Sequence, residues 1–266
     1  MSIVTLTTDF GVRDYYVGAV KGVILAIAPE AHLIDLTHEI PPQDVLAGAF
    51  VLRHAAREFP PDTVHLAVVD PGVGSSRRPL AARGRDQYWV GPDNGLFSFA
   101  FDTPDSEVRA IDAPALTDVC RSATFHGRDL FAPIAAHLAR GLSLSTVGPP
   151  VTDPVQLGEL TPQRYGERIE GQILHVDRFG NLVTSISAAD LTGWEDHLRI
   201  HLSADRHLDR LCRTYADVTP GELLALIGSA DLLEISVNGG SAAHSLDLDR
   251  RAPIAVELRQ SPDASA

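Results

Sequence analysis

The first seventy residues of the chain leave few folds open. SIVTLTT is rich in β-branched residues and ends at Asp9. Tyr15 to Ala28 carries Val17, Val20, Ile24 and Ile27 at helical spacing, and Pro29 stops it. HLIDL reads as a short strand, Leu33 to Leu36, and PPQDVLAGAFVLRHAAREF as a helix with proline at its start. VHLAVV, Val64 to Val69, is a buried strand that runs into Asp70. The order β-α-β-α-β predicts a parallel sheet with covering helices. Ligands of such sheets bind beyond the carboxyl ends of the strands. Asp9 and Asp70 both follow a strand, so two acids from separate strands are expected to open into one crevice.

The alternation continues through QYWVGPDNGLFSFAF and SEVRAID. TFHGRDLFAPIAAHLARG is a loop leading into an amphipathic helix ended by Gly141. A proline-rich stretch without periodicity, Val147 to Arg164, reads as a linker. Beyond it the runs RIEGQILHVD, NLVTSIS, HLRIHL, ELLALIG, LLEISVN and APIAVELR are short, strand-like and separated by turns. The expected fold class is an α/β N-terminal domain with a mostly parallel sheet, plus a C-terminal all-β, barrel-like domain. Boundaries fall at residues 1–148, a linker at 149–166, and 167–260; the tail SPDASA is expected to fray.

Composition then excludes classes of partner. The 266 residues include 22 basic and 35 acidic side chains, a net charge of −13. That disfavours nucleic acid and anionic lipid as partners and is compatible with a cationic or zwitterionic small molecule. No apolar run approaches the roughly 18 residues of a membrane helix. The N-terminus lacks the basic and apolar regions of a signal peptide, so a cytoplasmic location is expected. Cys120 and Cys212 read as two buried thiols in a reducing compartment. His32, His38, His54 and His65 form no metal-binding spacing, and no metal or separate cofactor is expected.

Five loops carry groups with chemistry. In VVDPGVGSSRRPL, Asp70 sits at a strand tip, Gly72 and Gly74 permit close backbone approach, and Arg77 or Arg78 folds back over the site. The loop is neither GxxxxGK[ST] nor GxGxxG. In SATFHGRDLFAP, His126 beside Gly127 at a helix entrance is placed to act as base or orienter near neutral pH. Asp9 can take both hydroxyls of a ribose. In LHVDRFGNLVTSI, Asp177 can pair with an ammonium, and the amide of Asn181 offers the donor and acceptor that read an adenine edge. In ALIGSADLLEISVNGGSAAHSL, Ser229 and nearby amides can hold a carboxylate, while the Asn238-Gly239-Gly240 backbone can lie against a flat ring. Each loop also has a bland reading, as a turn, a cap or solvated surface.

Taken in order, TTDFG with DYYVGAVKG, VVDPGVGSSRR, FHGRDLFAP, VDRFGNLVTSI and SVNGGSAA span roughly residues 2 to 258. This set resembles the S-adenosyl-L-methionine (SAM) hydroxide adenosyltransferases, adenosine-forming SAM hydrolases whose halogenating relatives are the fluorinases and chlorinases. The resemblance implies an Asp-Arg-His catalytic set at Asp70, Arg77 and His126, with Arg78 the neighbouring alternative for the arginine. It implies ribose binding at Asp9, contacts to the methionine end at Asp177 and Ser229, adenine reading at Asn181 and an aromatic flank at Tyr215. Ala230 departs from the arginine that halogenating relatives carry after the serine. The family's architecture, an α/β domain followed by a β-barrel, agrees with the change of texture. The resemblance further implies a homotrimer whose site lies between one subunit's N-terminal domain and a neighbour's C-terminal domain.

The implied reaction is attack of water at the ribose C5′ carbon, giving adenosine and methionine with SAM as substrate. Arg77 stabilises developing hydroxide; either His126 or Asp70 takes the proton and the other orients. The rival readings are a halogenase that forms 5′-halo-5′-deoxyadenosine on the same scaffold, and a nucleoside-binding sensor without significant turnover.

Overall fold

The computed structural model describes residues 2–117, 122–158, 161–195, 197–203 and 205–259. Cys120 lies outside these; Cys212 is buried. The chain divides into two compact units, residues 1–157 and 158–266.

In the first unit, strands β1 (Ile3–Thr8), β2 (His32–Thr37), β3 (Val64–Val68), β4 (Pro79–Gly84), β5 (Gln87–Pro92) and β6 (Glu107–Ala110) form one sheet. Its order is β2-β1-β3-β5-β4-β6. The pairs β1–β2, β1–β3 and β3–β5 are parallel, and β4 pairs antiparallel with β5 and β6. The parallel alternation read from the sequence thus holds, and a hairpin extends it into a mixed sheet. Side-chain alternation sorts β3 onto two cores. Leu66 and Val68 join the core under α1 (Tyr16–Ile27) and α3 (Ala132–Ala139), whereas Ala67 faces α2 (Val45–Ala56) with Leu52, Trp89 and Phe97.

The start of α2 differs from the sequence reading. Pro41 and Pro42 precede the helix, Gln43 takes a left-handed backbone at φ 65, and Asp44 caps the helix by accepting from the Ala47 N–H at 2.9 Å. The entry to α3 is a π-turn, Gly127–Phe131, in which the Ala132 N–H reaches the Gly127 carbonyl. Pro133 lies just inside α3 and has no N–H to give. A bulge of this kind is one way a helix absorbs the missing bond. It falls one residue after His126.

Residues 149–157 pack on this unit: the Val151 N–H bonds to Val108, the Val155 N–H to Asp93 and the Leu157 N–H to Ser98.

The second unit is antiparallel throughout. Its strands are β7 (Gln163–Tyr165), β8 (Arg168–Val176), β9 (Leu182–Ser187), β10 (Leu198–His201), β11 (His207–Leu208), β12 (Leu223–Ile227), β13 (Leu232–Val237) and β14 (Pro253–Leu258), with the short helix α4 (Ala242–Leu246). They run β11-β10-β14-β8-β9-β13-β12, with β7 pairing on β8, as a nearly closed barrel-like sheet. Alternate residues Ile169, Ile173, Leu182, Ile186, Ile200, Leu233, Ile235 and Val256 fill its interior. The all-β, barrel-like expectation is met. No helix among the described residues is long and apolar enough to cross a membrane.

Candidate active site

Thr8 pairs with Val68 in the parallel register, so Asp9 and Asp70 leave the sheet at the same edge. The segment after β3 then turns back on itself. The Val73 N–H bonds to the Asp70 carbonyl, the Ser75 N–H and hydroxyl both bond to the Gly72 carbonyl, and the Arg77 N–H reaches the Ser75 hydroxyl. Gly74 is left-handed at φ 77, and a Cβ there would stand 3.0 Å from the Ala123 carbonyl. Glycine therefore lets this loop close on the segment that carries His126.

The fold-back delivers Arg77 to Asp70. Arg77 Nε lies 3.0 Å from each carboxylate oxygen, and Nη2 lies 2.5 Å from Oδ2. The same Nη2 is 2.7 Å from His126 Nδ1, and the guanidinium stacks over Phe131 at 5.1 Å. The Asp70 and Arg77 side chains are only 5% and 10% exposed. A guanidinium can only donate, so Nδ1 of His126 accepts and the ring proton sits on Nε2. Burial, and then the charge of Arg77, hold the His126 pKa below its ordinary value, against an opposing pull from Asp70 and Asp129. His126 is thus neutral near pH 7, with Nε2–H as the group it can offer to a ligand.

Arg78 points elsewhere. It pairs with the buried Asp93 at 2.8 Å and with Asp153 at 2.6 Å, pinning the segment after residue 149. Asp9 accepts the Gln43 N–H at 2.8 Å, an interaction that the left-handed Gln43 backbone aims. Its neighbour Phe10 packs edge-on to Phe125 at 6.1 Å and stands over Gly127, so the loop after β1 abuts the His126 segment. That segment also holds a pair the sequence reading passed over: Asp129, 2% exposed, bound by Arg128 at 2.5 Å.

The remaining candidates lie in the second unit. Asp177 and Asn181 bracket the β8–β9 turn and are bound to each other. Asp177 Oδ1 accepts from the backbone of Phe179 and Asn181, and Oδ2 from the Asn181 side-chain amide at 2.9 Å. Tyr215 is 42% exposed and gives its hydroxyl to Glu234 at 2.7 Å. Ser229 is exposed in the β12–β13 turn, and Gly239, at φ 71, follows the other end of β13. The length of that hairpin therefore separates Ser229 from Gly239. Beyond Gly239, the Ala243 N–H bonds to the Gly180 carbonyl of the β8–β9 turn. Two further residues of this unit escaped the sequence reading. Phe179 is 75% exposed beside Asp177 and Asn181, and Glu234 is a buried acid on β13. An aromatic within a turn motif could have flagged Phe179. Glu234 gives no such signal, being one polar residue in an alternating strand.

Comparison with known proteins gives these groups a context. Residues 4–148 match the family domain described as SAM hydroxide adenosyltransferase N-terminal domain, and residues 171–255 match its C-terminal counterpart. A protein of Thermus thermophilus named (R)-S-adenosyl-L-methionine hydrolase is 41% identical over 96% of this chain and 99% of its own length. A Salinispora arenicola protein of the same name is 40% identical over 91% and 93%. A fluorinase of Nocardia brasiliensis is 27% identical over 97% and 96%. Among solved structures, an uncharacterized conserved protein of Thermotoga maritima superposes with a TM-score of 0.88 at 38% identity, covering 96% of this chain and 99% of that one.

Proposed function

Because the chain belongs to the SAM hydroxide adenosyltransferase family, we propose that it hydrolyses S-adenosyl-L-methionine to adenosine and L-methionine. The observation that carries the reading is the contact of Asp70, Arg77 and His126, in which Arg77 meets Asp70 seven residues away and His126 49 residues away. The hydrolase relatives at 34–41% identity outrank the fluorinases at 26–28% and support water over halide as nucleophile. Their names specify the R configuration, and the same preference is proposed for this chain, to be checked with separated sulfonium epimers.

The leaving group of a sulfonium is a neutral thioether, so departure needs no general acid. The difficulty is the nucleophile, because water with a pKa of about 15.7 is a poor one. In the proposed step the water oxygen forms a bond to C5′ while the C5′–S bond breaks and its electron pair goes to sulfur. Arg77 stabilises the developing hydroxide. His126 Nε2–H donates to the same oxygen and orients it. The water proton then goes to Asp70, which the tautomer of His126 leaves as the acceptor. Asp9 holds the ribose, and holding water and C5′ in line contributes at most about 7–11 kcal/mol. In the second unit, Asp177 and Ser229 serve the methionine end. Asn181, Tyr215, Gly239 and the exposed Phe179 ring serve the purine. No cofactor takes part.

The reading includes a homotrimer acting in the cytoplasm, in which one subunit supplies the Asp70 set and a neighbour supplies the Asp177 set. Light scattering that finds a stable monomer at working concentration overturns this assembly. The chemistry is tested by incubating pure protein with SAM in ¹⁸O-water. Labelled adenosine is expected. Unlabelled adenosine, or 5′-chloro- or 5′-fluoro-5′-deoxyadenosine in halide buffers, overturns hydrolysis.

A further inference from the structure

Glu234 is a buried acid that the proposed chemistry leaves without a task. It stands on β13 opposite Leu226 of β12 and Val183 of β9, and it is 7% exposed. Oε1 accepts two hydrogen bonds, from the Tyr215 hydroxyl at 2.7 Å and the Ser236 hydroxyl at 2.8 Å. Both donors are neutral, and no ion pair among the described residues includes Glu234. Oε2 faces the turn that carries Ser229: a Cβ on Gly228 would come within 2.6 Å of it. The Tyr215 phenol is pushed up to about 12, first by burial, then by its bond to Glu234 and by the charges of Glu234 and Asp177. Both carboxylates thus act on the same ring.

A carboxylate held this way is costly for the fold. Desolvation opposes it, two hydroxyls do not neutralise it, and an apolar residue would be cheaper at the same place. What the arrangement supplies is a fixed negative potential beside the surface assigned to the methionine end. The reaction changes charge in a way this potential can read. SAM carries a sulfonium and an ammonium against one carboxylate. Adenosine carries no charge, and methionine is a zwitterion with none in excess.

We propose that Glu234 is a specificity-determining residue that, together with Asp177, recognises the excess positive charge of SAM and so distinguishes substrate from the adenosine product. The inference rests on the hydrolase reading of the site. It assigns to Glu234 electrostatic recognition, not proton transfer.

Calorimetric titration of wild type and Glu234→Gln tests it with three probes. Sinefungin carries an amine at the sulfonium position and cannot be hydrolysed. S-adenosylhomocysteine keeps only the ammonium, and adenosine has neither charge. Glu234→Gln keeps the size of the side chain and an acceptor for Tyr215, and thermal unfolding of the variant checks that it folds. Sinefungin is expected to bind at least about tenfold more weakly, matching the low end of charge-pair couplings. Adenosine should change less than about twofold, and Glu234→Asp, which keeps the charge, should recover part of the loss. A parallel loss for S-adenosylhomocysteine identifies the ammonium as the group read; its absence identifies the sulfonium. Equal weakening of adenosine, or no weakening of sinefungin, overturns the proposal. Conversion of SAM by the wild type is measured alongside, so failure of the hydrolase reading is seen separately.

Discussion

Replacing Arg77 with methionine strips the charge from the centre of the Asp70 contact and leaves most of its bulk. The aliphatic stem stays over Phe131, but Asp70, with 5% of its side chain exposed, keeps a charge without its partner. Removing one member of a buried pair costs about 3–5 kcal/mol. For a chain of this size, each kcal/mol shifts Tm by roughly 2–4 °C, so a fall on the order of 10 °C is expected. Asp70→Asn should cost a similar amount, because it strands the guanidinium. The double variant removes both charges, so its cost should fall short of the sum of the singles by at least about 1.5 kcal/mol, within the usual range for residues in contact. Activity should separate from stability. Asp70→Asn is expected to lower kcat by at least about 100-fold, and the double variant should remain as impaired although its stability has partly returned. Denaturant titrations of the four proteins give the cycle, and adenosine release gives the rates. Costs that add to within about 0.5 kcal/mol would refute the ion pair. Near-normal turnover by the double variant would leave it a structural pair with no part in the chemistry.

His126→Ala should also lower kcat by at least about 100-fold. In the wild type, protonation of His126 would set Nδ1–H against the Arg77 guanidinium, so kcat/KM should fall with acid at a pH below the ordinary histidine value of about 6.5. Removing Arg77 should move that inflection up; an inflection unmoved or lowered contradicts the geometry. His65 is fully buried against Trp89, bonds to Thr5, and has its pKa lowered to about 4 by burial. Between pH 6.5 and 4 the unfolded chain takes up this proton and the folded one does not, so stability falls as pH falls, by about 3 kcal/mol across the window. His65→Gln should remove that part of the acid sensitivity, as read from urea midpoints at pH 7 and pH 4.5. Asp9→Ala should raise KM for SAM more than it lowers kcat; an unchanged KM removes Asp9 from ribose binding.

The local and periodic information in the chain set its architecture. Helical spacing over Tyr15 to Ala28, a continuous apolar run at Val64 to Val69 and short strand-like runs beyond residue 167 each report a pattern of burial that neighbouring residues enforce. The two-part fold and the two strand-end acids arise from these. The partner of Asp70 does not. Arg77 and Arg78 are adjacent, and in extended chain adjacent side chains point to opposite sides. Only the folded path of residues 70–77, closed at Gly74 against Ala123, turns Arg77 toward Asp70 and Arg78 toward Asp93. The same holds in the second unit. The loops named in the sequence were correctly placed as turns, yet the β12–β13 register sets Ser229 and Gly239 at opposite ends of one hairpin. Glu234 shows the limit most clearly. Alternation says which face of a strand a residue occupies, but whether that face meets water or is sealed beneath Tyr215 depends on a segment nearly twenty residues away, and only the assembled chain brings it there.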